Sequence, residues 1–203
     1  MIIGTFVPHS PEWYAARRWR VGASEVATIL GLSPYRTTAA ELMRQKLDGT
    51  IRPETRAMRR GTFLEAGVLA WAAAEYRLDL APTPGTYVHD VLDWALANPD
   101  AMTVDGAVVE VKTTIDRTRE DGWGRGGTDA IPLAYQCQVE WECGVTGATE
   151  WHLVVLSGGV NGRPSLDLAH YYGRAAPARF ASLTGYVSRW HQRLITIRDQ
   201  ETS

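Results

Sequence analysis

Apolar residues recur every three or four positions up to about residue 80 and every second position beyond Pro82-Thr83-Pro84-Gly85, so this chain must pack helices on a sheet. Before the switch, Trp13, Ala16 and Trp19 or Arg20 predict a helix from Glu12 to Trp19. Ser24 to Leu30 reads as a short helix with Ser24 as N-cap and Gly31 just past its end. Ser33-Pro34-Tyr35 is a turn, and Thr38 with Glu41 forms a capping box opening a helix to about Leu47, which Asp48-Gly49 ends. A long helix is expected from about Glu54 to Tyr76. After the switch, strands fit Thr86–His89, Leu92–Ala97, Ala101–Thr103 and Ala107–Thr113, with Asp105-Gly106 as a hairpin signal. Residues 116–130 combine many charges with four glycines and no apolar period, which predicts a mobile loop of a functional kind.

A helix over Ala134–Val145, a strand over Trp151–Leu156, a turn from Gly158 to Pro164 and a strand over Leu166–Tyr172 follow. Phe180, Leu183, Val187, Trp190, Leu194 and Ile197 mark a C-terminal amphipathic helix over about 176–198, expected to pack within its own domain. The fold class is therefore a single α/β domain spanning 1–203. A central mixed sheet is flanked by helices, and the portion up to about residue 80 is helical and basic.

Composition removes several classes. With 45% hydrophobic and 22% charged residues the chain is neither disordered nor a collagen-like or coiled-coil rod. No run approaches the length of a membrane span, and Met1-Ile-Ile-Gly-Thr-Phe-Val-Pro lacks a signal peptide's basic start. Cys137 and Cys143, six apart on one predicted helix, suit neither a disulfide nor a metal clip, so a reducing, cytoplasmic setting is expected. The net charge of −2 conceals an asymmetry. Residues 1–60 carry +5, residues 61–110 carry −7, and the rest balance, as a polyanion grip beside a cation site would require.

The densest chemistry lies in Trp94-Ala-Leu-Ala-Asn-Pro-Asp100 and Val108-Val-Glu110-Val-Lys112-Thr-Thr. On a strand, Glu110 and Lys112 share one face while Val109 and Val111 share the other. Hairpin register decides whether Asp100 joins them. A two-residue Asp105-Gly106 loop pairs Asp100 with Val111 and turns the carboxylate away. A three-residue Val104-Asp105-Gly106 loop with left-handed Gly106 pairs it with Glu110. Opposed carboxylates need a neutralising partner, and hard oxygen donors suit magnesium or manganese. Two carboxylates and the Val111 carbonyl would fix such an ion for phosphodiester hydrolysis, with Lys112 orienting the water and stabilising the developing charge. Taken alone, the three residues fit an exposed hairpin carrying a surface ion pair equally well.

Asp100 after a proline, followed after nine intervening residues by Glu110-Val-Lys112, resembles the PD-(D/E)xK nuclease superfamily with its restriction-endonuclease-like core. More narrowly, the chain resembles the lambda-exonuclease and YqaJ-type viral recombinase family. The matching segments are Arg17 with Gly22-Ala-Ser24-Glu-Val-Ala-Thr-Ile-Leu-Gly-Leu-Ser-Pro-Tyr35, Arg60-Gly-Thr-Phe-Leu-Glu65, Ala97-Asn-Pro-Asp100, Glu110-Val-Lys112, and Ile131-Pro with Tyr135-Gln-Cys-Gln138. One departure is Ala101 after the aspartate, where many relatives carry glycine.

The resemblance implies Asp100 and Glu110 as principal ligands of Mg2+, with Mn2+ able to substitute, assisted by the Val111 carbonyl. Glu65 would reach the ion directly or through water. Lys112 would position the attacking water, and Gln138, rather than Gln136, would orient the site. Arg17 and Ser24 would grip the 5′-phosphate of a DNA end, which also agrees with arginines beside a helix start. The implied activity is a 5′ to 3′ exonuclease on double-stranded DNA ends, encoded by a phage or prophage for recombination. The implied assembly is a ring-shaped homotrimer working with a single-strand annealing protein. The alternatives are a restriction or repair endonuclease on the same core, distinguished by circular DNA, and an end-binding module that does not cut.

Overall fold

A computed structural model describes residues 1–35, 37–51, 53–82 and 85–201. Thr83 and Pro84 of the predicted punctuation, and Arg36 and Arg52 of the basic third, lie outside the described residues.

The first third holds α1 (Pro11–Arg18), α2 (Ala23–Ile29), α3 (Ala39–Asp48) and α4 (Arg56–Tyr76). Side-chain oxygens of Ser10, Thr38 and Thr55 accept the first free N–H groups of α1, α3 and α4, which sets where each helix starts. The Thr38–Glu41 box is formed, and Gly49 closes α3 at φ 69°. The start of α2 corrects the sequence reading. Gly22 is the N-cap and Ser24 is the second helical residue. Glu25 Oε2 takes the Gly22 N–H at 2.9 Å, which caps the helix without a serine. A Cβ on Gly22 would lie 2.2 Å from Arg17 Nη2, so a larger residue there would have to displace the guanidinium.

Two four-stranded sheets stand where one central sheet was expected. The first has the order β1 (Ile2–Gly4), β3 (Thr86–Val88), β4 (Ala95–Ala97), β2 (Val21–Gly22), with β2 parallel to β4 and the other pairs antiparallel. β1 and β2 are too short to show alternation in sequence. The second has the order β5 (Ala101–Met102), β6 (Val108–Thr114), β7 (Glu150–Val160), β8 (Arg163–Arg174), with a parallel β6–β7 pair between antiparallel neighbours. Pro99, which has no N–H to give a ladder, separates β4 from β5. β7 and β8 outrun their predicted lengths. The Gly158-Gly159 pair read as turn is a bulge inside β7, and the tight turn is Asn161-Gly162, both at positive φ.

Helix α5 (Leu133–Thr146) runs between the sheets and buries nine of its residues. Cys137, Trp141 and Val145 pack with Val21, Val26, Ala95 and Ala97 under the first sheet. Val139 and Cys143 pack with Val108, Trp151, Leu153 and Tyr171 on the second. Both cysteines are free and buried. On the far face of the second sheet, Val68 and Ala72 of α4 meet Val111, Val154 and Leu156. The C-terminal helix α6 (Pro177–Glu201) buries Leu183, Val187 and Leu194, so it packs within its own domain as expected. Among the described residues, no helix is long and apolar enough to cross a membrane.

Residues 116–130 are tied down rather than loose. Buried Asp116 accepts the Gly162 N–H at 2.6 Å through Oδ2, and Arg117 donates to Asp167 at 3.0 Å and to the Tyr171 hydroxyl at 3.2 Å. The Trp123 ring lies against Tyr135 and Tyr171. Charges and glycines here serve anchoring and turning, a distinction composition does not make.

Candidate active site

Pairs Ala101–Val109 and Met102–Val108 set the β5–β6 hairpin, with Gly106 at φ 93° in a loop of Val104-Asp105-Gly106. One further step along this register sets Asp100 opposite Glu110, which is the three-residue alternative. Asp100 Oδ2 also accepts the Val111 N–H at 2.7 Å. A strand residue points its N–H and C=O to the same side, so the Val111 carbonyl shares the edge where Asp100 sits.

β6 then sorts the side chains by alternation. Val111 faces α4, while Val108, Glu110 and Lys112 face α5. Glu110 is 3% exposed. Its Oε1 accepts from the Lys112 ammonium and, at 2.6 Å, from Gln138 Nε2, so Gln138 rather than Gln136 addresses the site. Lys112 also lies over the Tyr135 ring, 5.4 Å from its centroid. Glu65 comes in from α4. Burial pushes its carboxyl pKa upward, and the Glu110 charge adds to the rise.

Asp100, Glu110, Glu65, Lys112, Gln138 and the Val111 main chain are thus brought together from β5–β6, α4 and α5. The sequence reading missed Glu142, which stands one helical turn beyond Gln138. It is 1% exposed, and its Oε1 accepts from Gln138 Nε2 at 3.1 Å. The i, i+4 spacing of Gln138 and Glu142 on one buried face is the signal that could have found it.

The electrostatics are lopsided. Burial, then Glu110 and Glu65, drive the Asp100 carboxyl well above the ordinary carboxylate range. Burial and Glu110 do the same to Glu142. Burial alone would lower the Lys112 pKa, but Glu110 and then Asp100 outweigh it and hold the ammonium charged. One cation therefore faces four carboxyl groups, and Glu110 Oε2 is buried with no hydrogen-bond partner among the described residues. No cage of three or more His, Cys, Asp or Glu ligands is preformed among those residues. The donors fit a hard divalent cation held by two carboxylates, a main-chain carbonyl and water. The unpaired Glu110 oxygen and the mutual repulsion around it are what such an ion would relieve.

Arg17 and Ser24 meet at a second cluster. Arg17 is 9% exposed, stacks 4.4 Å above Trp13 and donates to Asn98 Oδ1 at 2.9 Å and, at a long 3.5 Å, to Ser24 Oγ. Glu25 Oε1 lies 3.8 Å from Arg17, and Glu25 Oε2 lies 3.0 Å from buried Lys46. Lys46 also donates to the carbonyls of Arg17 and Arg20. Burial would raise the Glu25 pKa, but Lys46 and Arg17 overcome it and lower the value. Asn98, which accepts from Arg17 and donates to Thr86 Oγ1 at 2.6 Å, stands two residues before Asp100 in the chain. Asn98, Glu25 and Lys46 were not singled out in sequence, because their partners are distant in the chain.

A family model for the YqaJ-like viral recombinase domain matches residues 12–149. No curated protein sequence gives a significant match. Among solved structures, the alkaline exonuclease LHK-Exo of Laribacter hongkongensis is similar with a TM-score of 0.72 and 23% identity, over 95% of this chain and 96% of that one. It has also been solved in complex with dAMP. A phage-related exonuclease of Haemophilus somnus 129PT follows with a TM-score of 0.63 and 12% identity, over 91% of this chain and 96% of its own. These likenesses establish a shared fold, and the match across residues 12–149 establishes kinship: the chain belongs to the YqaJ-like viral recombinase family.

Proposed function

We propose that the chain is a divalent-metal-dependent deoxyribonuclease that digests double-stranded DNA from its ends, 5′ to 3′, in phage or prophage recombination. The observation that carries this reading is the buried, unpaired Glu110 Oε2 beside Asp100 and a charged Lys112. Support for end-directed action comes from the exonuclease fold, and from LHK-Exo having been solved with dAMP, a mononucleotide of the kind such an enzyme releases.

Asp100, Glu110 and the Val111 carbonyl would hold Mg2+ or Mn2+, with Glu65 completing the shell. The bound ion would polarise the scissile phosphate and acidify a water. The chain's own groups do the rest. Lys112, kept protonated, donates rather than accepts, so it orients the nucleophile and offsets charge building on the phosphate oxygens. The Val111 N–H fixes Asp100, and Gln138 fixes Glu110. Arg17, with Ser24 at the start of α2, would bind the terminal 5′-phosphate through charge-assisted hydrogen bonds. The Asn98 link would set that grip at a constant offset from the carboxylates. A homotrimeric ring and a phage single-strand annealing protein as partner belong to the same reading.

The test uses purified protein with linear and covalently closed circular duplex, with and without Mg2+. Metal-dependent loss of the linear form alone is expected. Cutting of closed circles at a similar rate would hand the case to an endonuclease, and stable binding without loss of either would leave an end-binding module.

A further inference from the structure

Gln138 is held from two sides. Its side-chain nitrogen lies 2.6 Å from Glu110 Oε1 and 3.1 Å from Glu142 Oε1. Glu110, paired with the Lys112 ammonium, offers only acceptors, so the NH2 end of the amide faces it, and Glu142 Oε1 accepts from the same nitrogen. Glu110 Oε1 also accepts from Lys112, so both of its lone pairs are taken and Oε2 is the oxygen left open.

Glu142 is an expensive residue to keep where it is. It is 1% exposed, and its Oε2 meets no partner among the described residues. A carboxyl group in such a place costs more than an apolar side chain of equal size, and packing alone gives no reason for it. Among the described residues, the one hydrogen bond of its side chain is to the Gln138 amide. We infer that Glu142 is a positioning residue of the nuclease centre: by accepting the second Gln138 N–H it fixes the amide against Glu110 Oε1 and leaves Glu110 Oε2 as the oxygen presented to the cation. The inference rests on the metal-dependent nuclease reading. Glu142 acts through its acceptor oxygen and needs no charge for this duty.

Two variants separate acceptor from charge. Glu142→Met keeps the volume and removes the acceptor, and Glu142→Gln keeps the acceptor and removes the acid. The expected result for Glu142→Met is a kcat on linear duplex about tenfold lower, the rough worth of one hydrogen bond, at unchanged KM for DNA ends. Mn2+ affinity, read by calorimetry without DNA, falls with it. Glu142→Gln restores most of both. Wild-type kcat and Mn2+ affinity in Glu142→Met would overturn the inference, and so would a Glu142→Gln as impaired as Glu142→Met. Should Glu142→Met not fold, the Gln138 side-chain NH2 resonances decide. Slow solvent exchange in the wild type and in Glu142→Gln supports the inference, and fast exchange in the wild type sinks it. A wild type that leaves linear duplex intact with either metal refutes the nuclease reading, while the Mn2+ titration and the amide signals still judge Glu142.

Discussion

Arg17, Lys46 and Glu25 on one side of Asn98, and Asp100, Glu110, Glu65, Glu142 and Lys112 on the other, are both charge clusters drawn away from water, and they are balanced in opposite ways. In the first, every charge has a partner within the chain. Lys46 has three oxygen acceptors, Glu25 has two cations and a main-chain N–H, and Arg17 has Asn98 and the Trp13 face. Its surplus is one positive charge, which suits a terminal phosphate. In the second, one ammonium stands against four carboxyl groups and a buried oxygen is unpaired. A cluster closed within the chain holds the fold together, and a cluster left open asks for an ion.

The largest effect should come from opening the closed cluster. Lys46→Met strips Glu25 of its nearest cation, and breaking a buried pair costs about 3–5 kcal/mol. Urea denaturation should show that loss whether or not divalent metal is present. A smaller loss that metal repairs would erase the contrast between the clusters.

Next in size are the open cluster's own residues. Asp100→Ala, Glu110→Ala and Lys112→Ala should each lower the hydrolysis rate by about a hundredfold to a thousandfold, while binding of DNA ends persists through the Arg17 region. A near wild-type rate in Lys112→Ala would remove its role. Arg17→Ala should act on selection rather than on chemistry. Wild-type protein is expected to prefer 5′-phosphorylated over 5′-hydroxyl duplex by about tenfold to a hundredfold, the worth of a charged hydrogen bond, and the variant should lose most of that preference. Equal digestion of both ends by the wild type would dismiss the phosphate grip.

The smallest effect is the dependence of stability on pH, where the clusters should move in opposite directions. Asp100 and Glu142 have raised folded-state pKa values, so the folded metal-free chain binds more protons than the unfolded one and loses stability as pH climbs above the ordinary carboxylate range. Glu25 is lowered, so its contribution is present above its unfolded pKa and is lost as pH falls through the folded value. Melting temperatures at about pH 5 and about pH 8 should therefore drop on the alkaline side without metal and recover with Mg2+. Each kcal/mol would appear as about 2–4 °C in a domain of this size. An alkaline drop that Mg2+ leaves untouched would count against an ion between Asp100 and Glu110.

Much of this was legible before any coordinates. The helix starts at Thr38 and the hydrophobic face of α6 follow from local rules, since a cap or a 3.6-residue period needs only near neighbours. The alternation that sets Glu110 and Lys112 on one face of β6 is local too, whereas the sequence left two hairpin registers open and the folded hairpin, with Gly106 left-handed, selected the one that sets Asp100 opposite Glu110. Tertiary structure alone decided the rest. Gly22 rather than Ser24 caps α2, and the Arg17 guanidinium packed against it is held by Asn98 from far along the chain. The sheet divides in two at Pro99, the 116–130 segment is anchored by Gly162, Asp167 and Tyr171, and Glu142 faces Gln138 in a closed interior. Each of these depends on partners tens of residues away or on how much water survives packing. A linear pattern carries the preferences of neighbours along the chain, and burial, which sets the cost of every unpaired charge, exists only once distant segments have met.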